Sequence, residues 1–400
     1  MKKYYCVSLL IYLLLCNCSQ PNYYYNKGVY YYDKPVNEID SYLPLKNIDN
    51  LTMGSRNPSL IDSMLFLPVV VQGNRSTNIK TYSIVYAIDP IRNSVTDSLV
   101  IKNNKYGLQI FCVLKDTNYY FVGLKQGDES NSIAIITTNK DMSSSSEYSI
   151  NLDAKSFIDA TIFNKFLYIL TSNRANQLTL SKISLEEKQV LDSKIILPSI
   201  LASRFFDQSL YLIRRLNDRI SIVQVNLEHP DTTILNKEIP INIVSDLPDS
   251  LRMYRIDVAK NNLILTYQKN RNISQYQAQF AVVSINLSNE SYFTSVQEGL
   301  TWKICSIGDK VYVFKSIFKQ SYKKSKSYLV LSLVECGLDM KNEREILCFF
   351  PSVWNYVQSI LPLSNGMVAL TGQYQYTLGN KGDVRYSAFI ANFDIPHINE

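Results

Sequence analysis

Three features of the sequence predict an all-β protein whose short antiparallel sheets are arranged as a propeller. The chain is rich in residues that favour strands, with 29 Tyr and 16 Phe, and it has only 13 Gly. Short apolar runs recur every 43 to 56 residues, and each is followed by a second run and a polar turn. These runs are almost continuously apolar, which is typical of sheets that are covered on both faces.

Seven units carry this pattern, and the centres of their first runs are separated by 53, 47, 43, 52, 49 and 56 residues. The first runs are residues 64–71, 119–125, 166–172, 209–215, 262–268, 310–316 and 367–373. The second runs are residues 82–89, 132–138, 178–184, 220–227, 280–287, 328–335 and 386–393. With one strand before and one after each pair, the repeat predicts a seven-bladed β-propeller of four-stranded blades. Six or eight blades also fit, because the first unit is the least regular.

The two ends of the chain suggest how the ring closes. The sequence stops shortly after the third predicted strand of the last unit, so that blade lacks an outer strand. A segment within residues 23–48 could supply it. The tyrosine-rich stretch 23–32 is either this strand or an aromatic tether beside a lipid surface. We therefore divide the chain into residues 1–17, a tether with a closing strand at 18–50, and one propeller domain at 51–400.

The first residues have the pattern of an export signal. A basic start, Met1–Lys3, precedes twelve mostly apolar residues, 4–15, which are too few to span a bilayer as a helix. The following residues, Leu15-Cys16-Asn17-Cys18-Ser19, resemble a lipobox. This resemblance implies a bacterial lipoprotein with a signal peptide at 1–17 and fatty acids such as palmitate attached to Cys18. Alternatives are lipidation of Cys16, a simple membrane anchor and an ordinary cleaved signal.

An exported lipoprotein is expected in the cell envelope, anchored to membrane through its lipid. Ser19, rather than Asp, after the lipidated cysteine favours the outer membrane, on either its periplasmic or its outer side. Because the chain is expected outside the cytoplasm, its formal charge of +6 predicts contact with acidic lipids, glycans or proteins and no nucleic-acid partner. The oligomeric state is left open.

The sequence lacks the marks of several propeller families. There is no Gly-Gly pair as in kelch repeats, and two Trp are too few for WD40 repeats. Residues 295–302 fit the Asp-box of sialidases except for Gln297, and we interpret this single match as a coincidence. Segments 85–90 (VYAIDP) and 282–287 (VVSINL) resemble repeats of the pyrroloquinoline-quinone type, such as those of the outer-membrane assembly lipoprotein. That resemblance implies architecture and anchoring only, because the docking tryptophans are absent.

No catalytic, metal or cofactor site is predicted. The two histidines, His229 and His397, lie in a turn and near the end of the chain, and no nucleophile, phosphate-loop or metal motif is found. Four cysteines follow the signal region, each in an apolar run without CxxC spacing: Cys112, Cys305, Cys336 and Cys348. They are expected to be buried free thiols, and a bridge from Cys336 to Cys348 across one hairpin is the alternative.

The predicted loops show a charge asymmetry. Loops between second and third strands contain 15 Lys and Arg and 4 Asp and Glu over seven units, whereas loops between third and fourth strands of units one to six contain 5 and 12. Since the two sets lie on opposite faces of a propeller, one face should be basic and the other acidic. The candidate binding residues on the basic face are Arg214, Arg215, Lys269, Arg271, Lys319, Lys323, Lys324, Lys326, Tyr276 and Tyr322.

These observations predict a non-catalytic binding or scaffold module that docks an acidic partner on its basic face. The partner would be an envelope protein, a glycan or an acidic surface. The alternative is a glycan-active hydrolase that uses carboxylates at the propeller face. No particular carboxylate is indicated by the sequence for that role.

Overall fold

The computed structural model describes most of the chain from residue 29 onward, and all of its regular elements there are strands. The described residues are 29–31, 41–45, 53–73, 80–92, 94–102, 105–127, 131–139, 142, 145–152, 154–175, 177–196, 200–216, 219–230, 233–239, 254–272, 277–299, 301–320, 327–351, 355–363, 367–378 and 383–394.

Thirty strands follow one another along this part of the chain. Strands β1 to β7 are Val29–Tyr31, Ser41–Pro44, Met53–Ser55, Ser59–Ile61, Met64–Val71, Tyr82–Asp89 and Ser94–Ile101. Strands β8 to β15 are Gly107–Lys115, Tyr119–Gln126, Asn131–Thr138, Ser145–Ile150, Ser156–Phe163, Phe166–Ser172, Leu178–Ser184 and Gln189–Ile196. Strands β16 to β23 are Ile200–Phe206, Ser209–Leu216, Arg219–Asn226, Thr233–Ile239, Tyr254–Ala259, Asn262–Asn272, Gln277–Asn286 and Tyr292–Glu298. Strands β24 to β30 are Thr301–Ile307, Lys310–Gln320, Ser327–Gly337, Arg344–Pro351, Asn355–Pro362, Met367–Leu378 and Asp383–Asp394.

The strands form sheets in which every neighbouring pair is antiparallel. Sheet 1 contains β3, β5, β6 and β7, with β4 also paired to β5. Sheets 2 to 5 contain β8–β11, β12–β15, β16–β19 and β20–β23, and sheet 6 contains β24–β27 with β1 added at its outer edge. Sheet 7 contains β28–β30 and β2. The predicted all-β propeller of four-stranded antiparallel blades is confirmed.

The sheets differ in how the sequence completes them. Six are built from consecutive strands, so six complete blades are counted along the chain, one fewer than the seven predicted units. Sheet 7 has only three consecutive strands and takes its fourth from Ser41–Pro44, which pairs with β30. The tyrosine-rich stretch is not this strand: its residues Val29–Tyr31 pair with β27 of sheet 6. Backbone pairing decides this difference, and side-chain composition does not reveal it.

The burial of the strands follows their radial position. In sheet 1, β5 and β6 are buried over almost their whole length, while most of the outer strand β7 is exposed. The outer strand β15 of sheet 3 alternates between exposed and half-buried residues. Middle strands pack on neighbouring sheets with both faces, which explains their continuous apolar runs, whereas the inner strands β12 and β16 are mostly half-buried.

Hydrophobic clusters join successive sheets around the axis. One cluster packs Val85 of sheet 1 against Phe121 of sheet 2, and corresponding clusters join sheets 2 and 3, 3 and 4, 4 and 5, and 5 and 6. Another packs Met53 and Val69 of sheet 1 against Ala369 and Ile390 of sheet 7. Strands β24 and β28 pack together between sheets 6 and 7. Burial of apolar area between sheets therefore holds the ring together.

Turns between inner and second strands show how tight hairpins form here without glycine. The two-residue turns Asp62-Ser63 and Asn164-Lys165 both have positive φ at each residue, between 49° and 66°. This is the geometry of a type I′ hairpin, in which Asn and Asp are tolerated better than other non-glycine residues.

Three of the cysteines are buried free thiols: Cys112, Cys305 and Cys336. Burial raises the pKa of each thiol, for Cys336 to about 12. The alternative bridge from Cys336 to Cys348 is wrong. Cys348 lies opposite Ser332 on β26, four residues from Cys336, a separation of about 13 Å along a strand and too long for a disulfide.

Candidate functional site

A cavity of about 460 Å³ lies where the inner strands of the sheets approach one another around the axis. Its wall is formed mainly by β12, β16, β20, β24 and β28, the inner strands of sheets 3 to 7. This volume is within the range of roughly 300–1,000 Å³ that is typical of small-molecule pockets. The polar and charged side chains in the wall belong to Asn57, Asp159, Ser203, Arg204, Tyr254, Arg255, Lys303, Gln358 and Ser359.

The cavity lies toward one face of the ring. Its lining residues Tyr254 and Lys303 are near the beginnings of β20 and β24. Because strand directions alternate within a sheet, inner strands begin on the face that carries the hairpins between second and third strands. The axial cavity is therefore at the centre of the face that the sequence predicts to be basic.

An ion pair beside the cavity connects three sheets. The Asp257 carboxylate is 3.1 Å from the Arg204 guanidinium, and it also accepts a hydrogen bond of 2.8 Å from the backbone N–H of Ser306. These residues come from β20, β16 and β24, so one buried carboxylate links sheets 4, 5 and 6. Asp257 thereby satisfies an inner-edge N–H that β24 cannot pair within its own sheet.

Asp159 has a similar role one step earlier around the ring. Its carboxylate accepts hydrogen bonds from the backbone N–H groups of Phe205, at 3.3 Å, and Ala160, at 2.9 Å. Burial raises the pKa of Asp159, while these two bonds and the nearby Arg204 act in the opposite direction. Sheets 3 and 4 are thus linked by the same kind of carboxylate contact that links sheets 5 and 6.

Two cations in the cavity wall have no such partner in the part of the chain that the structure describes. Among the described residues, neither Arg255 nor Lys303 forms an ion pair, and the Arg255 guanidinium donates a 2.9 Å hydrogen bond to the Tyr254 carbonyl. Arg255 is exposed to the cavity, but the surrounding protein still lowers its pKa. Burial and then the charge of Arg255 lower the pKa of Lys303 to about 7. The protonated forms of Arg255 and Lys303 are therefore electrostatically unfavourable in this position.

Trp302 fixes the strand that carries Lys303. Its indole stacks on Phe280 with ring centroids 4.5 Å apart and planes at 4°, and Nε1 donates a 2.9 Å hydrogen bond to the Thr266 hydroxyl. Both partners belong to sheet 5, so Trp302 locks sheet 6 against its neighbour. The Asp-box-like residues 295–302 are consequently divided between β23 and β24 of two different sheets.

These axial residues were not predicted from the sequence. A signal was present, because Arg255 in YRIDVA and Lys303 in WKICSI are charged residues inside runs that otherwise form a core strand. The sequence does not reveal which strand of each unit is innermost, so the same charges are equally consistent with an exposed outer strand.

Five of the predicted basic residues lie within the described part of the chain, and all five are in strands and not in loops. Arg214 and Arg215 lie in β17, Lys269 and Arg271 in β21, and Lys319 in β25. The loop prediction is wrong here because backbone pairing continues beyond the apolar runs. The other proposed site residues lie outside the described part of the chain: Cys18, Tyr276, Tyr322, Lys323, Lys324 and Lys326.

Long hairpins distinguish three adjacent sheets on this face. The second strands β21 and β25 have 11 residues and β29 has 12, whereas β13 has 7 and β17 has 8. Pairing continues to Asn272–Gln277 in sheet 5 and to Gln320–Ser327 in sheet 6. Strand pairing therefore extends farther on this face in sheets 5 to 7 than in sheets 3 and 4, and three of the candidate binding residues lie in these long strands: Lys269, Arg271 and Lys319.

Acidic side chains on the opposite face take part in contacts between sheets. The Asp62 carboxylate pairs with Lys115 of sheet 2, and Glu228 accepts a 2.8 Å hydrogen bond from Asn164 of sheet 3. Part of the negative charge of this face is thus neutralised within the ring.

Two further properties concern possible chemistry and anchoring. Within the described ranges, no helix has the length and apolar character needed to cross a bilayer. The same residues contain no group of three or more His, Cys, Asp and Glu side chains that could hold a metal ion.

No protein-family model matches this sequence, and no curated protein is significantly similar to it. Among solved structures, YCF48 bound to D1 peptide is 11% identical with a TM-score of 0.49, and the match covers 94% of this chain and 99% of that one. The β-propeller domain of the Trilobed protease from Pyrococcus furiosus is 9% identical with a TM-score of 0.46, covering 84% and 97%.

A puromycin hydrolase mutant complexed with PGG is 9% identical with a TM-score of 0.45, over 82% of this chain. The chain spans 50% of the length of that hydrolase. At these identities the similarity does not extend to function, and the propeller assignment follows from the sheets and strand pairing of this chain itself.

Proposed function

We propose that this protein is an exported, lipid-anchored β-propeller that acts as a non-catalytic binding module in the cell envelope. It docks an acidic partner protein on its basic face. The observation that supports this proposal most directly is the length of β21 and β25. Their strand pairing continues on that face to Asn272–Gln277 and Gln320–Ser327, and they contain the basic residues Lys269, Arg271 and Lys319. Complementary charge on the partner would speed encounter and fix its orientation.

The ring itself is proposed to have seven blades. Contacts between Ser41–Pro44 and β30, and between β3 and β30, join the first and last parts of the chain. In this arrangement sheet 7 closes the ring between sheets 6 and 1 and keeps the inner strands around one axis.

The lipid anchor rests on the lipobox-like sequence around Cys18. We expect Cys18→Ala to abolish incorporation of labelled palmitate and to release the protein from the membrane fraction. Cys16→Ala is the matched control, and it should leave both properties unchanged. Loss of label in the Cys16 variant alone would assign lipidation to Cys16, and label retained in both variants would contradict the proposal.

Charge reversal tests the docking face. The triple substitution Lys323→Glu, Lys324→Glu and Lys326→Glu should weaken binding of poly-glutamate by about tenfold or more, since each exposed charge contributes up to roughly 1 kcal/mol. The same substitutions at Lys165, Lys188 and Lys260, in turns of the opposite face, should have little effect. Binding is measured by fluorescence anisotropy, and it should weaken with added salt.

Two outcomes of this experiment would count against an acidic protein partner. Equal affinity in the two triple variants would show that the basic face has no special role. Tighter binding to anionic lipid vesicles than to poly-glutamate would assign the face to a membrane surface.

The residues of the axial cavity give little support to the alternative function as a glycan-active hydrolase. The one carboxylate among its described lining residues, Asp159, accepts two backbone hydrogen bonds, and Asp257 beside the cavity is paired with Arg204. Both carboxylates thus have structural partners, and three cations lie close to them. This arrangement favours binding of an anion over the paired carboxylates that a glycosidase uses.

A further inference from the structure

We propose that the axial cavity is a second, separate binding site, which holds a small ligand through a phosphate or carboxylate group placed between Arg255 and Lys303. This inference goes beyond the docking of a partner on the hairpins. It rests on the shape of the cavity, on its charge and on the absence of an acidic partner for these two side chains among the described residues.

Positive charges outnumber negative charges among the described residues around the cavity. Arg204, Arg255 and Lys303 are opposed by Asp159 and Asp257, and Arg204 is already engaged by Asp257 at 3.1 Å. Arg255 and Lys303, on the neighbouring inner strands β20 and β24, therefore remain for a ligand. An arginine presents a planar fork to an oxyanion, and a lysine adds a compact second charge.

The rest of the wall can complete such a site. Ser203, Gln358 and Ser359 supply polar groups from sheets 4 and 7, and Ile200, Ile256 and Ile304 supply apolar surface. A pocket that combines apolar surface with a few converging polar groups is typical of sites for small molecules. The cavity volume, about 460 Å³, leaves room for more than the anionic group alone.

Lys303 makes the proposal testable through pH. Its pKa of about 7 reflects burial and Arg255, and the other charged groups around it are Arg204, Asp159 and Asp257. The described side chains that β28 contributes to the cavity, Gln358, Ser359 and Ile360, carry no charge. A bound anion would stabilise the protonated lysine and raise its pKa. Affinity should then be highest below pH 7 and fall as the pH rises above it.

The experiment titrates the full chain with sodium sulfate or sodium acetate, at constant ionic strength, by isothermal calorimetry. Both anions keep a constant charge from about pH 6 to about pH 9, so any pH dependence belongs to the protein. We expect one site, a preference for sulfate if the natural group is phosphate, and a preference for acetate if it is carboxylate. Arg255→Met and Lys303→Met should each weaken binding by about tenfold or more.

The controls separate a ligand-binding role from a structural one. Lys341→Met removes an exposed lysine on the opposite face and should leave affinity unchanged. The Lys303→Arg variant should still bind the anion, but its affinity should no longer fall above pH 7. The affinity of the Lys303→Met variant should not fall above pH 7 either. Absence of binding by both anions, or equal affinity in the Arg255, Lys303 and Lys341 variants, would overturn the proposal. Neither result depends on the hairpin lysines, so failure here is distinct from failure of the docking proposal.

Discussion

Replacement of Leu45 by aspartate should destabilise the protein by about 4 kcal/mol or more. Leu45 is 1% exposed and follows directly after the closing strand β2, and its backbone N–H donates a 3.0 Å hydrogen bond to the Ala388 carbonyl. Its side chain packs in the cluster that joins sheets 1 and 7. Loss of a buried leucine costs about 2–5 kcal/mol, and a buried carboxylate adds a further penalty.

Urea denaturation followed by circular dichroism measures this change. Leu191→Asp is a suitable control, because Leu191 lies on the outer strand β15 with 45% of its surface exposed. It should change the unfolding free energy by no more than about 0.5 kcal/mol. Similar losses for the two variants would show that the contact of the N-terminal segment with sheet 7 does not close the ring.

Asp257→Ala should cost about 3 kcal/mol, the second largest effect that we expect. The substitution leaves the Ser306 N–H without its acceptor and Arg204 without its counter-ion. Asp257 is 7% exposed but Arg204 is 47% exposed, so solvent partly compensates the remaining charge, and most of the cost comes from the Ser306 N–H that loses its acceptor. Asp257→Asn should lose less, since the amide oxygen can still accept the hydrogen bond from Ser306.

The same denaturation assay distinguishes this contact from an ordinary surface pair. Asp192 is 3.4 Å from Lys194 and about 43% exposed, so Asp192→Ala should change stability by less than about 1 kcal/mol. If the Asp257 and Asp192 variants are equally stable, the carboxylate links between inner strands do not contribute to the cohesion of the ring.

The repeat was readable from the sequence because a propeller blade imposes strict local demands. Two middle strands per unit must be apolar on both faces, as Leu65 to Val71 and Tyr82 to Ile88 illustrate. This requirement produces a periodic pattern of apolar runs in the sequence. The charge asymmetry of the hairpins was also accessible, since it requires only the order of the strands.

The strand that completes sheet 7 could be predicted only in part from the sequence. A missing outer strand in the last unit pointed to the N-terminal segment, but the choice of Ser41–Pro44 over the tyrosine-rich stretch was not predicted. Edge-strand pairing uses backbone groups, so many sequences can serve and composition does not discriminate among them. The ends of β21, β25 and β29 were missed for the same reason.

By itself the sequence determined that this protein is made of repeated four-stranded antiparallel units, with basic residues concentrated in one set of hairpins. Both follow from local patterns of apolar and charged residues. Only the tertiary structure decided that Arg255 and Lys303 lie side by side in an axial cavity while Asp257 binds Arg204. These residues are far apart in sequence, and they meet because closing the ring brings the inner strands of different sheets around one axis.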